Sequence, residues 1–411
     1  MEIRPILSTL RRHKTAAALI VLEIALTCAI ICNSLFMISD RITQVFETSG
    51  IAEKELLRLQ IVSIGNDAEQ DARTRADLAA LRAIPGVKAA TVLNQVPFGW
   101  SSWNSGIRLK QEDERPMLNA TTYLADEQFV DTLGVNIVAG RNFTADEYRE
   151  ATDLLNRIGN DDSVPVALIT RALAERMFPG EDPIGKEFYA WSESPTRVIG
   201  VMEHLVRPNT LGGPSAREYT IVFPLRTHYN LGGNYLVRTD PERRQEVMEQ
   251  AKQVLRAGGN DRILMEENSL TMEEMRSKFH SGSRSMAWLL GVVCVALMLI
   301  TALGIIGLAS FWVQQRTKQI GVRRALGATR GQILRYFQTE NFILASIGIA
   351  IGMLLAFAIN QVLMGKYDTA RLPLYYLPTG ALMLWGLGQL AVYAPARRAA
   401  SIPPATATRS A

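Results

Sequence analysis

Strongly apolar residues are concentrated in four stretches, separated by segments in which apolar and polar residues alternate at shorter range. A transmembrane helix needs about 20 mostly apolar residues. The pattern therefore predicts four membrane spans, at residues 15–39, 286–313, 339–364 and 376–395. The last of these is short and marginal beside the other three.

Arg11, Arg12 and Lys14 precede the first apolar run, as basic residues precede the apolar part of a signal peptide. However, this run is about twice as long as that part of a signal peptide, and no small-residue cleavage site closes it. We therefore expect residues 15–39 to form a retained helix.

Between the first and second spans, residues 40–285 have the mixed periodicities of a folded α+β domain. The domain begins with strands at 56–63 and 87–93 around a helix at 71–82, which carries four alanines on one side: Ala76, Ala79, Ala80 and Ala83. It ends with strands at 235–239 and 262–266 around a helix opened by Pro241, whose apolar stripe is Val247, Ala251, Val254 and Leu255. Two β-α-β units are thus predicted to flank the domain.

A lobe of short strands and two helices is predicted between these units, at about 115–205, with strands at 164–169 and 196–202 around a helix at 171–178. Further along, Thr271 and Glu274 have the spacing of a capping box. They open a helix that we expect to run unbroken into the second span. The predicted fold class is therefore a membrane protein with four transmembrane helices and a large extracytoplasmic α+β domain, in which a β-rich lobe is inserted between two β-α-β units.

Basic residues are distributed unevenly around the spans. Residues 1–14, 314–338 and 396–411 together contain 13 of the 44 Lys and Arg residues but one of the 40 acidic residues, Glu2. The positive-inside rule places these segments in the cytoplasm, and the 40–285 domain and the short 365–375 loop on the other side. The three cysteines, Cys28, Cys32 and Cys294, all fall within predicted spans, so no disulfide is expected in the 40–285 domain.

The 314–338 loop contains six basic residues, no acidic residue, and signals for a short helix at 317–326. Gly327 is suited to end that helix, and Thr329 with Gln332 forms a capping box for the next one. Ile320 and Leu326 are expected to pack, and Arg323 and Arg324 to face a partner. The alternative is a solvated basic loop that only sets the topology.

Residues 180–187 imitate a phosphate-binding loop, but Glu187 stands where that motif needs Ser or Thr to hold magnesium. The four histidines are scattered, without metal-ligand spacing, and no nucleophile motif occurs. We therefore expect no catalytic, cofactor-binding or metal-binding residue, and no enzymatic activity, in this chain.

Two further features each have two interpretations. Glu23 lies within the first span, where a carboxylate is costly and marks a functional candidate; alternatively, it lies near the cytoplasmic interface and pairs with a basic residue of the 314–338 loop. The 97–103 loop, Pro-Phe-Gly-Trp-Ser-Ser-Trp, concentrates aromatic residues. It is either a contact for a substrate or partner protein, or part of the core.

Three pieces of the chain carry a family resemblance. They are the loop at 319–329, which continues through 333–340; the segments 133–141 and 172–186 of the predicted outer domain; and the ending Pro-Ala-Arg-Arg-Ala-Ala-Ser-Ile-Pro-Pro at 395–404. In these residues the chain resembles the MacB-like family of ABC transporter permeases, which includes the FtsX-type permease domain.

This resemblance implies a four-span permease that works as a dimer with two cytoplasmic ABC ATPase subunits, which bind the ATP and magnesium. It also implies a set of residues in contact with the ATPase: Ile320, Gly321, Arg323, Arg324, Ala325, Gly327 and Ala328. MacB carries its ATPase on the same polypeptide. Because this chain opens at the first span, a separate ATPase is expected, and MacB's substrates do not transfer directly.

The resemblance further implies an inner-membrane location, membrane lipid around the spans, and export or extraction of a peptide, antibiotic, lipid or lipoprotein. A second permease copy or paralogue, a periplasmic adaptor protein and an outer-membrane channel are implied partners, whereas nucleic acid is not. The alternative function is that of an FtsX-like signalling regulator, which activates a periplasmic cell-wall hydrolase and transports nothing.

Overall fold

The computed structural model describes residues 14–64, 69–155, 164–210, 216–259, 261–367 and 371–402. The chain divides into a helical unit, Met1–Phe46 with Gly282–Ala411, and an α+β domain, Glu47–Ser281. The predictions for the N-terminal basic residues before Lys14, and for the chain after Ile402, lie outside the described residues.

The helical unit begins with α1, Lys14–Phe46, which contains the first predicted span. The α+β domain then opens with a sheet built from both of its ends. The elements of this part are β1 (Leu56–Ser63), α2 (Gln70–Arg82) and β2 (Val87–Leu93) from the first end, and β12 (Asn234–Thr239), α6 (Arg244–Ala257), β13 (Arg262–Leu264) and β14 (Leu270–Thr271) from the second.

The two predicted β-α-β units are interleaved in this one sheet. Its strand order is β13-β1-β12-β2, with β14 also pairing with β1. Each unit therefore places a strand of the other between its own two strands, and β12 is antiparallel to both β1 and β2. The strand and helix positions were predicted, but this interleaving was not.

Helix α2 buries the side opposite its alanines. Ala76, Ala79, Ala80 and Ala83 are exposed, and the buried positions are Thr74, Asp77, Leu78 and Leu81. A buried carboxylate needs partners, and Asp77 has them: its oxygens lie 2.5 and 2.7 Å from the guanidinium of Arg262 and 2.6 Å from the Tyr235 hydroxyl. These contacts place the polar Asp77 in the core.

The inserted lobe is larger than the predicted 115–205, because strands on both sides of that range complete its sheet. The strand order is β3-β4-β10-β7-β9-β5, with β8 on β9. Its elements are β3 (Asn104–Ile107), β4 (Leu118–Leu124), α3 (Phe129–Leu133), β5 (Ile137–Gly140), β6 (Arg149–Glu150), α4 (Ala151–Leu155), β7 (Val166–Thr170), α5 (Arg171–Met177), β8 (Glu187–Phe188), β9 (Thr196–Met202), β10 (Thr220–Phe223) and β11 (Leu225–Arg226). Every residue of β7 and β10 is buried, as expected for central strands.

The predicted unbroken helix after Thr271 is in fact two helices. Helix α7, Met272–Phe279, begins with the predicted capping box, in which Glu274 N lies 3.2 Å from Thr271 Oγ1. It ends at His280, and α8, Ser281–Gln315, follows. The buried His280 ring packs edge-on against Phe98 and Phe279, with ring centroids 5.8 and 4.9 Å apart.

The helical unit continues with α8 and then α9 (Thr317–Ala325), α10 (Arg330–Tyr367) and α11 (Tyr376–Ala400). Among the described residues, α1, α8 and α10 are long and apolar enough to cross a membrane. The fourth predicted span forms α11, a 25-residue helix with Pro395 inside it. Helix α11 packs with α1 and α10, and the three cysteines are buried in this unit as free thiols.

Candidate functional site

The predicted short helix of the basic loop is present as α9. It has Arg316 as its N-cap, and Gly327, with φ at +95°, follows its C-cap Leu326. Reciprocal hydrogen bonds then start α10: Thr329 N lies 2.9 Å from Gln332 Oε1, and Gln332 N lies 3.3 Å from Thr329 Oγ1. The turn between α9 and α10 is therefore fixed by local contacts, as the glycine and the capping box predicted.

One side of α9 is buried in a small apolar cluster at this end of the helical unit. Gly321 is buried and Ile320 is 5% exposed, as its predicted packing role requires. The cluster consists of Val313, Ile320, Ile333, Phe337, Ala396, Ala399 and Ala400. Leu326, which was also predicted to pack, is instead 83% exposed, because it lies beyond the last turn of α9 and points away from the cluster.

Arg324 lies at the C-terminal end of α11. Its Nη1 donates to the carbonyl oxygen of Ala400 at 2.6 Å and lies 3.4 Å from that of Ile402. The last carbonyls of a helix have no partner within the helix and carry partial negative charge, so a guanidinium is well placed there. Arg324 therefore attaches α9 to α11 and is only partly exposed.

The exposed side of α9 combines apolar and basic residues. Arg323 is exposed, and its guanidinium lies 5.0 Å from the centre of the Tyr336 ring. Val322 is 51% exposed and lies one turn before Leu326, and Ala325 and Gly327 are also exposed, whereas Ala328 is half-buried. Val322 was not among the predicted contact residues, although its four-residue spacing from Leu326 indicates a shared helix side.

A buried ion pair joins the start of α9 to α10. Arg316 Nη1 lies 2.8 and 3.0 Å from the two carboxylate oxygens of Glu340, and the two side chains are 8% and 1% exposed. The guanidinium also lies 5.5 Å from the centre of the Trp312 ring. This pair was not predicted from the sequence, although an acidic residue at the start of an apolar span is a signal for one.

Glu23 contacts α8 within the helical unit. A Cβ atom added at Gly304 would lie 2.6 Å from Glu23 Oε2, so the carboxylate occupies the space above that glycine. One turn further along α1, the buried Thr27 and Thr301 hydroxyls are 2.9 Å apart. No ion pair to Glu23 occurs within the described part of the chain, and the predicted pairing with the basic loop is absent there.

The aromatic 97–103 loop has features of both interpretations. Phe98 is buried and stacks near Phe279 at 5.6 Å, whereas Trp100 is exposed and lies 4.9 Å from the same ring. Both have positive φ, 64° and 66°, a conformation that bulky residues rarely adopt. The loop thus fills the core with one ring and presents another to the surroundings.

An apolar groove of about 740 Å³ runs between α1 and α8. Its wall is almost entirely hydrocarbon, with one basic residue, and includes Ile38, Ile42, Arg284, Trp288, Val292 and Leu299. The residues of the false phosphate loop lie elsewhere, in the α+β domain, where Lys186 forms an ion pair with Glu181. Across the described ranges, no three His, Cys, Asp or Glu residues are grouped so that they could hold a metal.

Comparisons with known proteins cover both units. The profile of the "MacB-like periplasmic core domain" family matches residues 19–254, and that of the "FtsX-like permease C-terminal" family matches residues 291–404. The chain is 22% identical over 353 residues to the uncharacterized ABC transporter permease YknZ of Bacillus subtilis. This match covers 85% of this chain and 82% of YknZ.

The chain is also 27% identical over 293 residues to the macrolide export ATP-binding/permease protein MacB of Mannheimia succiniciproducens. That match covers 68% of this chain but 42% of the relative, so the chain spans less than half of that protein. The solved extracellular domain of YknZ covers 51% of this chain at 19% identity, with a TM-score of 0.31.

Proposed function

The chain belongs to the MacB-like and FtsX-like ABC transporter permeases, and from that premise we propose that it couples ATP hydrolysis by a separate cytoplasmic ATPase to movements of its α+β domain. In this proposal the domain is periplasmic, and its movements export or extract a substrate. The chain itself supplies transport rather than catalysis. Four spans and cytoplasmic termini in the bacterial inner membrane complete the proposed topology, with α11 as the fourth span.

The exposed side of α9 is the observation that carries this proposal. Val322 and Leu326 are large apolar residues that stand exposed between basic side chains, and the opposite side of the same helix is firmly packed. An exposed apolar patch rimmed by polar residues is typical of a protein contact. We infer that Val322 and Leu326 enter an apolar depression of the ATPase, and that Arg323 lies at the rim of that contact.

The attachments of α9 determine where a movement would go next. Arg324 connects α9 to α11, Arg316 connects its start to α10, and the chain itself connects it to α8. A displacement of α9 by the ATPase would therefore act on three membrane helices together. In this account, α8 and α7 then pass the movement to the α+β domain.

The groove between α1 and α8 suggests which substrates fit. Its hydrocarbon wall favours a substrate with an apolar part, such as a lipid, lipoprotein, amphiphilic peptide or hydrophobic antibiotic. The MacB relatives are macrolide export proteins by name, and for this chain macrolide export is one candidate among these classes. A second permease copy or paralogue, an adaptor and an outer-membrane channel are the further partners of the proposal.

Purification of the tagged chain in mild detergent tests the proposal, with mass spectrometry of its partners and an assay of ATP hydrolysis. We expect an ABC ATPase in the eluate, and Leu326→Glu should reduce its recovery at least tenfold because a carboxylate would be buried at the contact. Gln314→Glu is the matched control, since it adds the same charge at an exposed position before α9.

Two results would contradict the proposal. Equal ATPase recovery with Leu326→Glu would show that α9 is not part of the contact with the ATPase. Absence of any ATPase with the unchanged chain would show that the chain is not coupled to an ATPase. Recovery of a cell-wall hydrolase together with the ATPase, without an adaptor, would favour the FtsX-like signalling function.

A further inference from the structure

Four charged residues meet where the α+β domain begins and ends along the chain. Glu47 follows α1 directly, Glu53 lies six residues later, Arg217 belongs to the inserted lobe, and Arg276 belongs to α7, which precedes α8. We propose that Glu47, Glu53, Arg217 and Arg276 form a joint through which movements of the membrane helices enter the α+β domain, with Arg276 as its positioning residue. This inference rests on the function proposed above.

Arg276 binds the segment that follows α1 at two points. Its Nη1 lies 2.5 Å from Glu53 Oε1, and its Nη2 donates to the backbone carbonyl oxygen of Glu47. The guanidinium also lies 5.5 Å from the centre of the Phe98 ring. A guanidinium carries five N–H donors on a wide, rigid and planar fork, so it can reach two separate acceptors and lie near a ring, whereas an ammonium is a compact charge. Arg276 thereby ties the helix before α8 to the first residues after α1.

Arg217 binds the same segment from the inserted lobe. Its Nε lies 2.5 Å from Glu47 Oε2, and its side chain is 8% exposed. Burial is the largest influence on Glu47 and raises the pKa of its carboxyl, although Arg217 and Arg276 both act to lower that pKa. The Glu47 side chain is 27% exposed, so the pair is partly buried and links Glu47 to the lobe.

The backbone of the joint is also closely fitted. Gly50 has φ at +81°, and a Cβ atom there would lie 2.1 Å from the carbonyl oxygen of His204. The amide of Val206 donates to Ser49 O at 3.1 Å, and Ser49 Oγ donates to Glu53. Residues 47–53 are therefore held between the inserted lobe and α7, which excludes a loose linker at this position.

The arrangement explains how two separate chain connections can act as one. The segment after α1 and the helix before α8 share one apolar core, through Ile51, Met275 and Phe279, and Arg276 adds the direct polar link between them. With Arg276, a displacement of either one pulls on Glu47 and Glu53, and through Arg217 on the inserted lobe. A joint of this kind transmits movement only while both ends of Arg276 are engaged.

Hydrogen–deuterium exchange of the full chain with its ATPase, in lipid nanodiscs, tests the joint. We expect ATP with vanadate to change the exchange rate of peptides covering residues 47–63 at least threefold, and Arg276→Gln to abolish this nucleotide-dependent change while ATP hydrolysis continues. Lys278→Gln is the matched control, because it removes the same charge from an exposed position on the same helix. Arg276→Lys, which keeps the charge but cannot make both contacts, should lose most of the response.

The outcomes separate this inference from the function on which it rests. A normal nucleotide response in Arg276→Gln would overturn the joint and leave the ATPase coupling intact. An ATPase that binds and hydrolyses ATP without any response at 47–63 in the unchanged chain would likewise overturn the joint, whereas absence of the ATPase would overturn both. If Arg276→Gln does not fold, Glu53→Gln breaks one of the same contacts and should at least halve the response; an unchanged response would overturn the joint.

Discussion

Helices α1 and α8 have similar length and hydropathy but very different surroundings within the helical unit. They are 33 and 35 residues long, and the mean hydropathy of their most apolar windows is 2.4 and 2.9. Half of that window is buried in α1, against 17% in α8. Hydropathy thus identifies helices that can cross a membrane, but it does not show which of them pack together.

Small residues account for the difference. Ile24, Cys28 and Cys32 of α1 each contact a glycine of another helix: Gly348 and Gly352 on α10, and Gly380 on α11. Glycines let membrane helices approach closely. On α8, by contrast, Gly291 and Gly307 have no atom of the described chain within 4 Å of an added Cβ. Helices α1, α10 and α11 therefore form a closely packed bundle, whereas α8 meets α1 at Gly304 and leaves most of its apolar surface exposed.

The Arg316–Glu340 pair should give the largest effect, because it joins the end of α8 to that bundle. Removal of one partner from a buried ion pair leaves an uncompensated charge, and we expect Glu340→Ala to destabilise the chain by about 3–5 kcal/mol. SDS-induced unfolding of the purified protein measures this. The double variant Arg316→Met with Glu340→Leu should regain most of the loss, and an equal loss in both would mean that the charges are not paired.

A leucine at Gly352 tests the packing of α1. A Cβ there would lie 2.5 Å from the Cys28 Cβ and 2.6 Å from the Ala25 carbonyl oxygen, so α1 and α10 would have to separate. Overpacking typically costs about 1–3 kcal/mol. The same unfolding assay should show a loss in this range for Gly352→Leu, and wild-type stability would contradict the close packing described for the bundle.

The contact between the Thr27 and Thr301 hydroxyls should have a smaller effect. Hydrogen bonds between membrane helices contribute about 0.6 kcal/mol on average. We expect a double-mutant cycle with Thr27→Val and Thr301→Val to give a coupling energy of this size. A coupling above about 2 kcal/mol would show that α8 is held to α1 more firmly than its exposure indicates.

Gly291→Leu should give the smallest effect of the series. No heavy atom of the described residues lies within 4 Å of an added Cβ at this position, so the change is expected to stay within about 0.5 kcal/mol of the wild type. The comparison with Gly352→Leu holds the substitution constant and changes only the helix. Strong destabilisation by Gly291→Leu would place another part of the protein, or a second copy, against this side of α8.

Local patterns predicted the elements well and their partners poorly. The bounds of β1, β2 and β9, and both capping boxes, agree with the predictions, because each depends on residues only a few positions apart. The buried side of α2 was not predicted, because it depends on Arg262, which is 185 residues away from Asp77 in the chain.

The candidate site shows the same division. The length of α9 and the burial of Ile320 followed from nearby residues. The attachment of Arg324 to Ala400, 76 residues further along, could not be read from the local pattern. The roles of the predicted contact residues in binding an ATPase stay predictions until the partner is tested.

The interleaved sheet of the α+β domain also determines the order in which its strands can pair during synthesis. Strand β1 pairs with β12, whose residues are made roughly 180 positions later. At a synthesis rate of about 5–20 residues per second, β1 waits about 10–40 s for that partner. The strands of the inserted lobe can all pair before β12 is made, since the last of them ends at Arg226. The earliest strand of the domain therefore has no strand partner until the C-terminal end of the domain is made, and its apolar residues Leu57, Leu59 and Ile61 are buried only after that delay.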